Sequence, residues 1–528
     1  MKNYYDISEQ DNFEELFSDL AVSKKPTLSR GKYLILNFDF SEVSAQGDIE
    51  KIVENFYSYC NKRYKAFQRR YKKIIDNFAI EKDALASLDE LFMAVEESPY
   101  KIYVLIDEYD NFINEIMVKG RRKDYEKLVT GEGIVKTFFK KIKAHSGSII
   151  DKIFITGISP VVLNDISSGF NIAKDITFRE NFNDMCGFKE QEIRQVVETI
   201  IEEQRLQQQS KDILQVMKKY YNGYCFNIKK TQKIYNPTLS LYFLENLQQS
   251  GNMPEEMLDK NLQTDINKLD FLSRIELGRK VILEILENRD QIKVSKVVME
   301  FQLKDLLELE KQDEDYIASM MLFFGLLTIK ERQFNLVLEI PNSVCRKLYF
   351  EKLQNIIANR KLTTRTIQEQ FFLNCNIGTV CEYIEQNMLQ VLSNRDYMHA
   401  DELSYKLLFL TILYRDDIYF IESERELLRD YCDIFFQVRP DMNQYGAQNI
   451  LVEFKYIKLS DLQMKKEQIK AADQIDLWKQ KPVKEKYQQA TAQLAKYEKV
   501  LQDKYPQIKI NKMVVIGLGF DKVLGKIV

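Results

Sequence analysis

Two stretches of this 528-residue chain place acids where hydrophobic runs end, and each could do chemistry. In KIYVLIDEYDNF, residues 101–112, the apolar and aromatic run Ile102 to Ile106 meets Asp107, Glu108 and Asp110. Carboxylates at the end of a buried strand can hold Mg²⁺ through the Asp and orient an attacking water through the Glu. In LVEFKYIK, residues 451–458, strand alternation puts Glu453 and Lys455 on one face and Phe454 on the other. Asp433, at the head of DIFFQV, adds a second acid from an adjoining strand. Two carboxylates so placed can hold Mg²⁺ to polarise a phosphodiester and activate water, while the ammonium steadies the developing charge.

Nucleotide hydrolysis at the first stretch would also need a phosphate cradle, G-x-x-x-x-G-K-[ST] between a strand and a helix. No segment fits. Gly31-Lys32 is followed by Tyr33, has no glycine five residues earlier and precedes a strand, whereas Gly525-Lys526 lies at the end of the sequence. Without backbone amides and a lysine on the phosphates, most of the nucleotide's binding energy is lost. ATP is therefore not an expected cofactor of this chain alone. Thr156 and Ser159, in KIFITGIS, end the next expected strand and by themselves read as ordinary strand-end polar residues.

The elements that must position these residues follow from length and periodicity. A chain this long exceeds one hydrophobic core, and two or three domains are expected. YLILNFDF (33–40), 102–106 and 152–159 read as strands, with helices over 50–97, 109–118 and 132–144, a pattern that predicts a parallel α/β sheet. Residues 189–222 read as helical, with a turn-rich boundary near 235. The stretch 240–390 reads as helical with one hairpin at 326–341, a winged-helix-like arrangement. The last part predicts a helix at 399–414, strands at 418–421, 433–438 and 450–456, a long helix at 483–504 and a strand at 512–520.

Composition narrows the function classes. Lys plus Arg (76) nearly balance Asp plus Glu (79), so only a local patch could serve a polyanion. Seven cysteines without a CxxC pair read as reduced thiols, and two histidines, His145 and His399, make zinc or histidine-triad chemistry unexpected. The start is polar and acidic and no apolar run has spanning length, so a cytoplasmic protein without membrane segments is expected.

In this order, VLIDEYDNF, FITGISPV, DMCGFKEQEI, YNGYCF and YNPTLSLYFL resemble the AAA-ATPase-like family of bacterial proteins. The resemblance implies that Asp107 and Glu108 form a Walker B segment, that Thr156 and Ser159 are sensor-like, and that the sequence starts downstream of the phosphate loop. IESERELLRDYCDIFF, ILVEFKYIK and ATAQLAKY resemble a second unit of that architecture, a PD-(D/E)XK nuclease domain. There the resemblance implies Asp433 and Glu453 as metal ligands, Lys455 as the catalytic cation and Gln493 as the residue that orients Lys455 or the phosphate. Glu402, in HADELSYKLLFL, and Glu424 compete as a third acid. Two glycines of the pattern are replaced by Leu428 and Asp430, and a charged insertion follows Lys455.

The fold expected is multidomain α/β. It comprises a P-loop-NTPase-like parallel sheet lacking its Walker A segment (1–235), a helical, winged-helix-like middle (236–370) and a restriction-endonuclease-like core (371–528). The function expected is Mg²⁺-dependent DNA phosphodiester hydrolysis, with a homo-oligomer allowed. The rivals are a nucleotide switch whose nuclease fold only recognises nucleic acid, and a partner-binding protein with both sites inactive. KRYKAFQRRYKK (62–73) carries seven cations, but its aromatics at i, i+3 and i+7 form one packing stripe. Trp478 is expected to anchor the insertion, and MMLFFGLL (320–327) to fill a helical core.

Overall fold

The apolar run at 102–106 becomes the middle strand of a three-stranded parallel sheet in the computed structural model, ordered β1 (Tyr33–Asp39), β2 (Lys101–Asp107), β3 (Ile150–Ile155). The structure describes residues 1–118, 121–157, 172–206, 209–230, 232–258, 264–301, 312–358, 364–389, 401–427, 430–505 and 508–528. Two compact units result, one of Met1–Asp175 with Val298–Leu309 and one of Ile176–Val297 with Glu310–Val528.

In the first unit β2 is buried on both faces, which is why it reads as an unbroken apolar run. Ile102, Val104 and Ile106 join Leu34, Leu36 and Phe38 of β1 in the main core, under the helices Ile49–Arg70, Ala84–Glu96 and Ile134–Ala144. Tyr103 and Leu105 face the other way and pack with Tyr33, Ile35 and the partly buried Tyr5 and Phe154. The parallel register sets Asp39 beside Asp107 and Ile155 beside Ile106, so the strands' carboxyl ends share one edge. β3 ends at Ile155, short of the expected 159, although Thr156 N still donates to Ile106 O at 2.9 Å. The helix expected from 109 starts at Asn111. The aromatics of the basic helix, Tyr64, Phe67 and Tyr71, are buried, while Arg70 pairs with Asp6 (2.7 Å) and Glu9 (2.6 Å).

The second unit opens with the helices Glu190–Gln204, Ser210–Tyr221 and Pro237–Ser250. Asn236 caps the last of these by accepting from Leu239 N at 3.0 Å, with Pro237 at its first position. The 326–341 hairpin forms as β5 (Thr328–Arg332) and β6 (Leu336–Glu339), and β4 (Gln291–Val294) adds antiparallel to β6. Met320, Met321, Leu322, Leu326 and Leu327 are buried, so MMLFFGLL is core.

A five-stranded sheet completes the unit in the order β11 (Lys522–Ile527), β10 (Ile510–Leu518), β9 (Asn449–Ile457), β8 (Asp430–Val438), β7 (Tyr419–Leu427). Only β9 and β10 run parallel, joined by the 24-residue helix Lys481–Lys504. β11 was not expected from the sequence. The insertion folds as three short helices, Leu459–Leu462, Lys466–Ala471 and Gln474–Lys479, and buries Leu462, Ile469 and Leu477. Trp478 packs edge-on to Tyr487, 5.4 Å between centroids.

Within this unit the helices grip the sheet through polar contacts. Tyr220 Oη donates to Asp416 O (2.5 Å), Lys347 Nζ lies 3.2 Å from Asp416 Oδ1, and Lys219 Nζ donates to Glu422 Oε1 (2.6 Å). Arg346 donates to Ile421 O at 3.0 Å. Fully buried Arg439 pairs with Asp441 (2.7 Å) and donates to Asp417 O (2.9 Å). No helix among the described residues is long and apolar enough to cross a membrane.

Candidate functional site

The β8–β9 ladder stops one step short of the acids, its last pair being Ile434 with Val452. Beyond it, the Asp433 side chain replaces the missing partner, Oδ2 accepting from Phe454 N at 2.7 Å. Asp433 is thus the fourth residue of its strand, not its head as the sequence suggested. Register carries Asp433, Phe435, Leu451 and Glu453 to one face of the sheet, the face on which Phe435 and Leu451 join the core under the Lys481–Lys504 helix. On β10, Val514 and Ile516 flank Glu453 and Lys455. The acids therefore stand at a splayed strand pair with an apolar wall on one side.

Lys455 Nζ donates to Glu453 Oε1 at 2.9 Å and to Phe454 O at 2.8 Å, and lies 3.7 Å from Glu402 Oε2. Glu453 is 2% exposed and Lys455 8%. Glu453 Oε2 is buried without a hydrogen-bond partner, which costs about 1–3 kcal/mol or more for a charged group. Burial, then the nearby charge of Asp433, push the Glu453 carboxyl up to about 8 against the pull of Lys455. Burial also raises Asp433, opposed by its hydrogen bond from Phe454 and by the charges of Lys406 and Lys455. Burial works against the Lys455 ammonium, but Glu453, Glu402 and Asp433 hold its pKa above the ordinary value. A buried ion pair of this kind is poor evidence for stability and good evidence for a poised site.

Among the described residues no three His, Cys, Asp or Glu side chains converge to hold a metal ion. The donor set is instead an acidic pair with an orphaned oxygen. Mg²⁺ suits it, because that ion is commonly bound by one or two carboxylates and completed by water and substrate phosphate. A cation at Glu453 Oε2 would satisfy the one polar atom there that the fold leaves bare.

Glu402 stands at the start of the Glu402–Leu413 helix, capped by Asp401, and meets Lys455 rather than the acidic pair. Tyr405 seats that helix: its hydroxyl donates to Gly519 O at 2.5 Å, and its ring lies where any Cβ on Gly517 would be. Gln493 is half-buried on the Lys481–Lys504 helix, and no hydrogen bond joins it to Asp433, Glu453 or Lys455. Glu424 lies in β7, but its side chain, like Leu428, falls outside the described residues. Lys406, 3% exposed and one turn beyond Glu402, escaped the sequence reading. Its only signal was the i,i+4 spacing from Glu402 inside an apolar helix.

The first unit's acids form a separate group at the carboxyl edge of its sheet. Thr156 Oγ1 donates to Asp107 Oδ1, and Tyr109 N donates to Thr156 O at 3.1 Å. Glu108 takes a left-handed backbone, φ +47°, and accepts from Asn111 at 2.6 Å. Such a φ is unfavourable for a non-glycine residue and is a feature of functional turns. Asp110 is 2% exposed, so it supports the turn rather than facing solvent as Asp107 does. Gly157 has no room for a Cβ against the Tyr109 ring and Asp110. Ser159 and His399 lie outside the described residues. Asp39, beside Asp107 in register, went unnoticed in the sequence, and it caps the next turn through Ser41.

Comparison with known proteins bears on both groups. A family model described as "Predicted AAA-ATPase" matches residues 1–167, and one described as "PD-(D/E)XK nuclease superfamily" matches residues 400–523. Comparison with curated proteins returns no match. Among solved structures, the Walker-type ATPase PABY2304 of Pyrococcus abyssi is similar over 62% of this chain and 85% of its own, at 14% identity and a TM-score of 0.38. The chain thus carries an AAA-ATPase-like domain followed by a PD-(D/E)XK nuclease superfamily domain.

Proposed function

We propose that the chain is a Mg²⁺-dependent phosphodiesterase acting on DNA, with Asp433 and Glu453 holding the cation. The observation that carries this reading is the bare, buried Oε2 of Glu453 beside a second carboxylate. When bound, the divalent ion supplies Lewis-acid polarisation of the phosphodiester and a more acidic water. Asp433, fixed by the Phe454 amide, orients one ligand oxygen. Glu453, whose carboxyl burial pushes up to about 8, would have to be ionised to hold the cation, its proton passing to water. Lys455, held by Glu453 and the Phe454 carbonyl, places an ammonium where negative charge grows on the phosphorus oxygens. Glu402 also pairs with that ammonium at 3.7 Å, and Gln493 is assigned to the incoming phosphate.

The test incubates plasmid DNA and Mg²⁺ or Mn²⁺ with the full chain, Asp433→Ala and Lys455→Ala. Nicking or linearisation by the wild type alone is expected. Equal survival of DNA in all three would sink the reading.

A second reading gives the first unit a nucleotide-linked regulatory role, favoured by solvent-facing Asp107 hydrogen-bonded to Thr156 at the sheet's carboxyl edge. Fluorescent ATP with Mg²⁺ should then bind the wild type more tightly than Asp107→Ala. Equal binding removes this role.

A further inference from the structure

We infer that Lys219 binds a DNA phosphate a short way along the strand from the one cleaved, so that the substrate path of the nuclease-like site continues onto the Ser210–Tyr221 helix. The inference deepens the phosphodiesterase reading above and rests on it. Lys219 lies outside the segment that the nuclease-superfamily model matches, yet it reaches the face of the sheet that bears the acids. In register Glu422 pairs with Phe435 and Phe435 with Leu451, so Glu422 stands on the same face as Glu453. Lys219 Nζ donates to Glu422 Oε1 at 2.6 Å. It also lies 6.0 Å from the ring centroid of Phe420, two residues before Glu422 and therefore on that face too. Phe435 and Glu453 are buried there, whereas Asp433 and Glu422 are half-buried and the Lys219 side chain is 30% exposed. The open part of the acid face thus runs from Asp433 towards Lys219.

The spacing suits a nucleic-acid backbone. Glu422 lies two strands across and two residues along from Glu453, about 10 Å and about 7 Å, or about 12 Å in all. Duplex DNA advances about 3.4 Å along its axis per nucleotide while its backbone winds, so about 12 Å reaches roughly the second phosphate beyond the scissile one. An ammonium carries three donors, and among the described residues Glu422 takes one of them, which aims the group and leaves donors for a phosphate. Each lysine–phosphate contact makes affinity scale with salt to about the −0.9 power, worth about eightfold at about 0.1 M. The partly exposed carboxylate beside Lys219 offsets some of that gain, so about three- to eightfold is expected from this contact.

The experiment measures binding of a short duplex DNA to the full chain in Ca²⁺ by fluorescence anisotropy, across about 50 to 200 mM salt. Lys219→Gln should weaken binding by about three- to eightfold near 0.1 M salt and flatten the log–log salt slope by up to about 0.9, and Lys219→Arg should restore both. Unchanged affinity and slope overturn the inference. So does a weaker affinity at unchanged slope, which loss of the helix's hold on the sheet would give by itself. If Lys219→Gln does not fold, the wild type carries the test: duplex DNA should shield Lys219 from an amine-reactive reagent, and equal labelling with and without DNA overturns the contact. Asp433→Ala separates the two ideas. If it nicks plasmid as the wild type does, the phosphodiesterase reading itself fails. If it abolishes nicking while Lys219→Gln binds DNA as the wild type does, only the present inference fails.

Discussion

Glu453→Gln isolates the cost of keeping a carboxyl group in this site without a metal. In the folded chain its pKa is pushed up to about 8, mostly by burial, against an ordinary 4.5 in the unfolded chain. Between those values the folded state binds the extra proton. The stabilisation is complete below about pH 4.5 and is lost as pH rises through 8. At roughly 1.4 kcal/mol per unit the loss reaches about 2–5 kcal/mol, or some 3–7 °C in Tm for a unit of this size. Glutamine keeps the shape and cannot ionise, so most of that slope should vanish. The assay is thermal denaturation of wild type and variant in EDTA across pH 5 to 9, with Mg²⁺ added in a parallel series. Wild type should lose stability towards pH 8 and regain it with Mg²⁺, because the cation favours the ionised form. Identical pH profiles for the two proteins would refute the assignment of Glu453 as the strained, metal-seeking group.

Lys455→Ala should cut DNA cleavage by about 10²–10³ and cost about 3–5 kcal/mol of stability, because it strands a buried carboxylate; plasmid nicking and urea denaturation check both. Gly517→Ala should destabilise the second unit by about 1–3 kcal/mol, since its Cβ must displace the buried Tyr405 ring and unseat the helix bearing Glu402; a Tm shift with reduced nicking is the expected pair of results. Gly157→Ala should destabilise the first unit by a similar amount, about 1–3 kcal/mol, and leave the nuclease-like site unaffected, read by limited proteolysis beside the nicking assay. Mg²⁺ affinity should rise from pH 6 to pH 8 and then level off, because the ion displaces a proton from Glu453; calorimetry in buffers of different ionisation enthalpy counts that proton.

What was legible in the sequence follows from what is local. β2 stood out because both its faces are buried, so no polar residue interrupts Ile102 to Ile106. Glu453 and Lys455 stood out because strand alternation alone pairs them, and their contact at 2.9 Å is a two-residue event. Asp433 was found but misplaced within its strand, since its role depends on where the β8–β9 ladder opens, a property of two strands. Lys406, Tyr405 and Gly517 were invisible for the same reason. Each acts across more than a hundred residues of sequence or from inside an almost wholly buried helix, where periodicity signals only burial. β11 escaped because a six-residue run with a central glycine and two lysines carries little strand pattern.

The grip of the helices on the sheet bears on how the protein can be taken apart. Asp416, Ile421, Glu422 and Arg439 belong by sequence to the nuclease-superfamily segment, yet Tyr220, Lys347, Lys219 and Arg346 satisfy the first three. Residues 400–528 expressed alone would expose a buried carboxylate and an unpaired strand carbonyl to whatever solvent or neighbour could reach them. The segment that the nuclease-superfamily model matches thus leans on side chains that lie outside it. A division that keeps these contacts would have to leave the helices from Ile176 onward attached to the sheet they hold, and no single cut achieves it, because Val298–Leu309 belongs to the first unit.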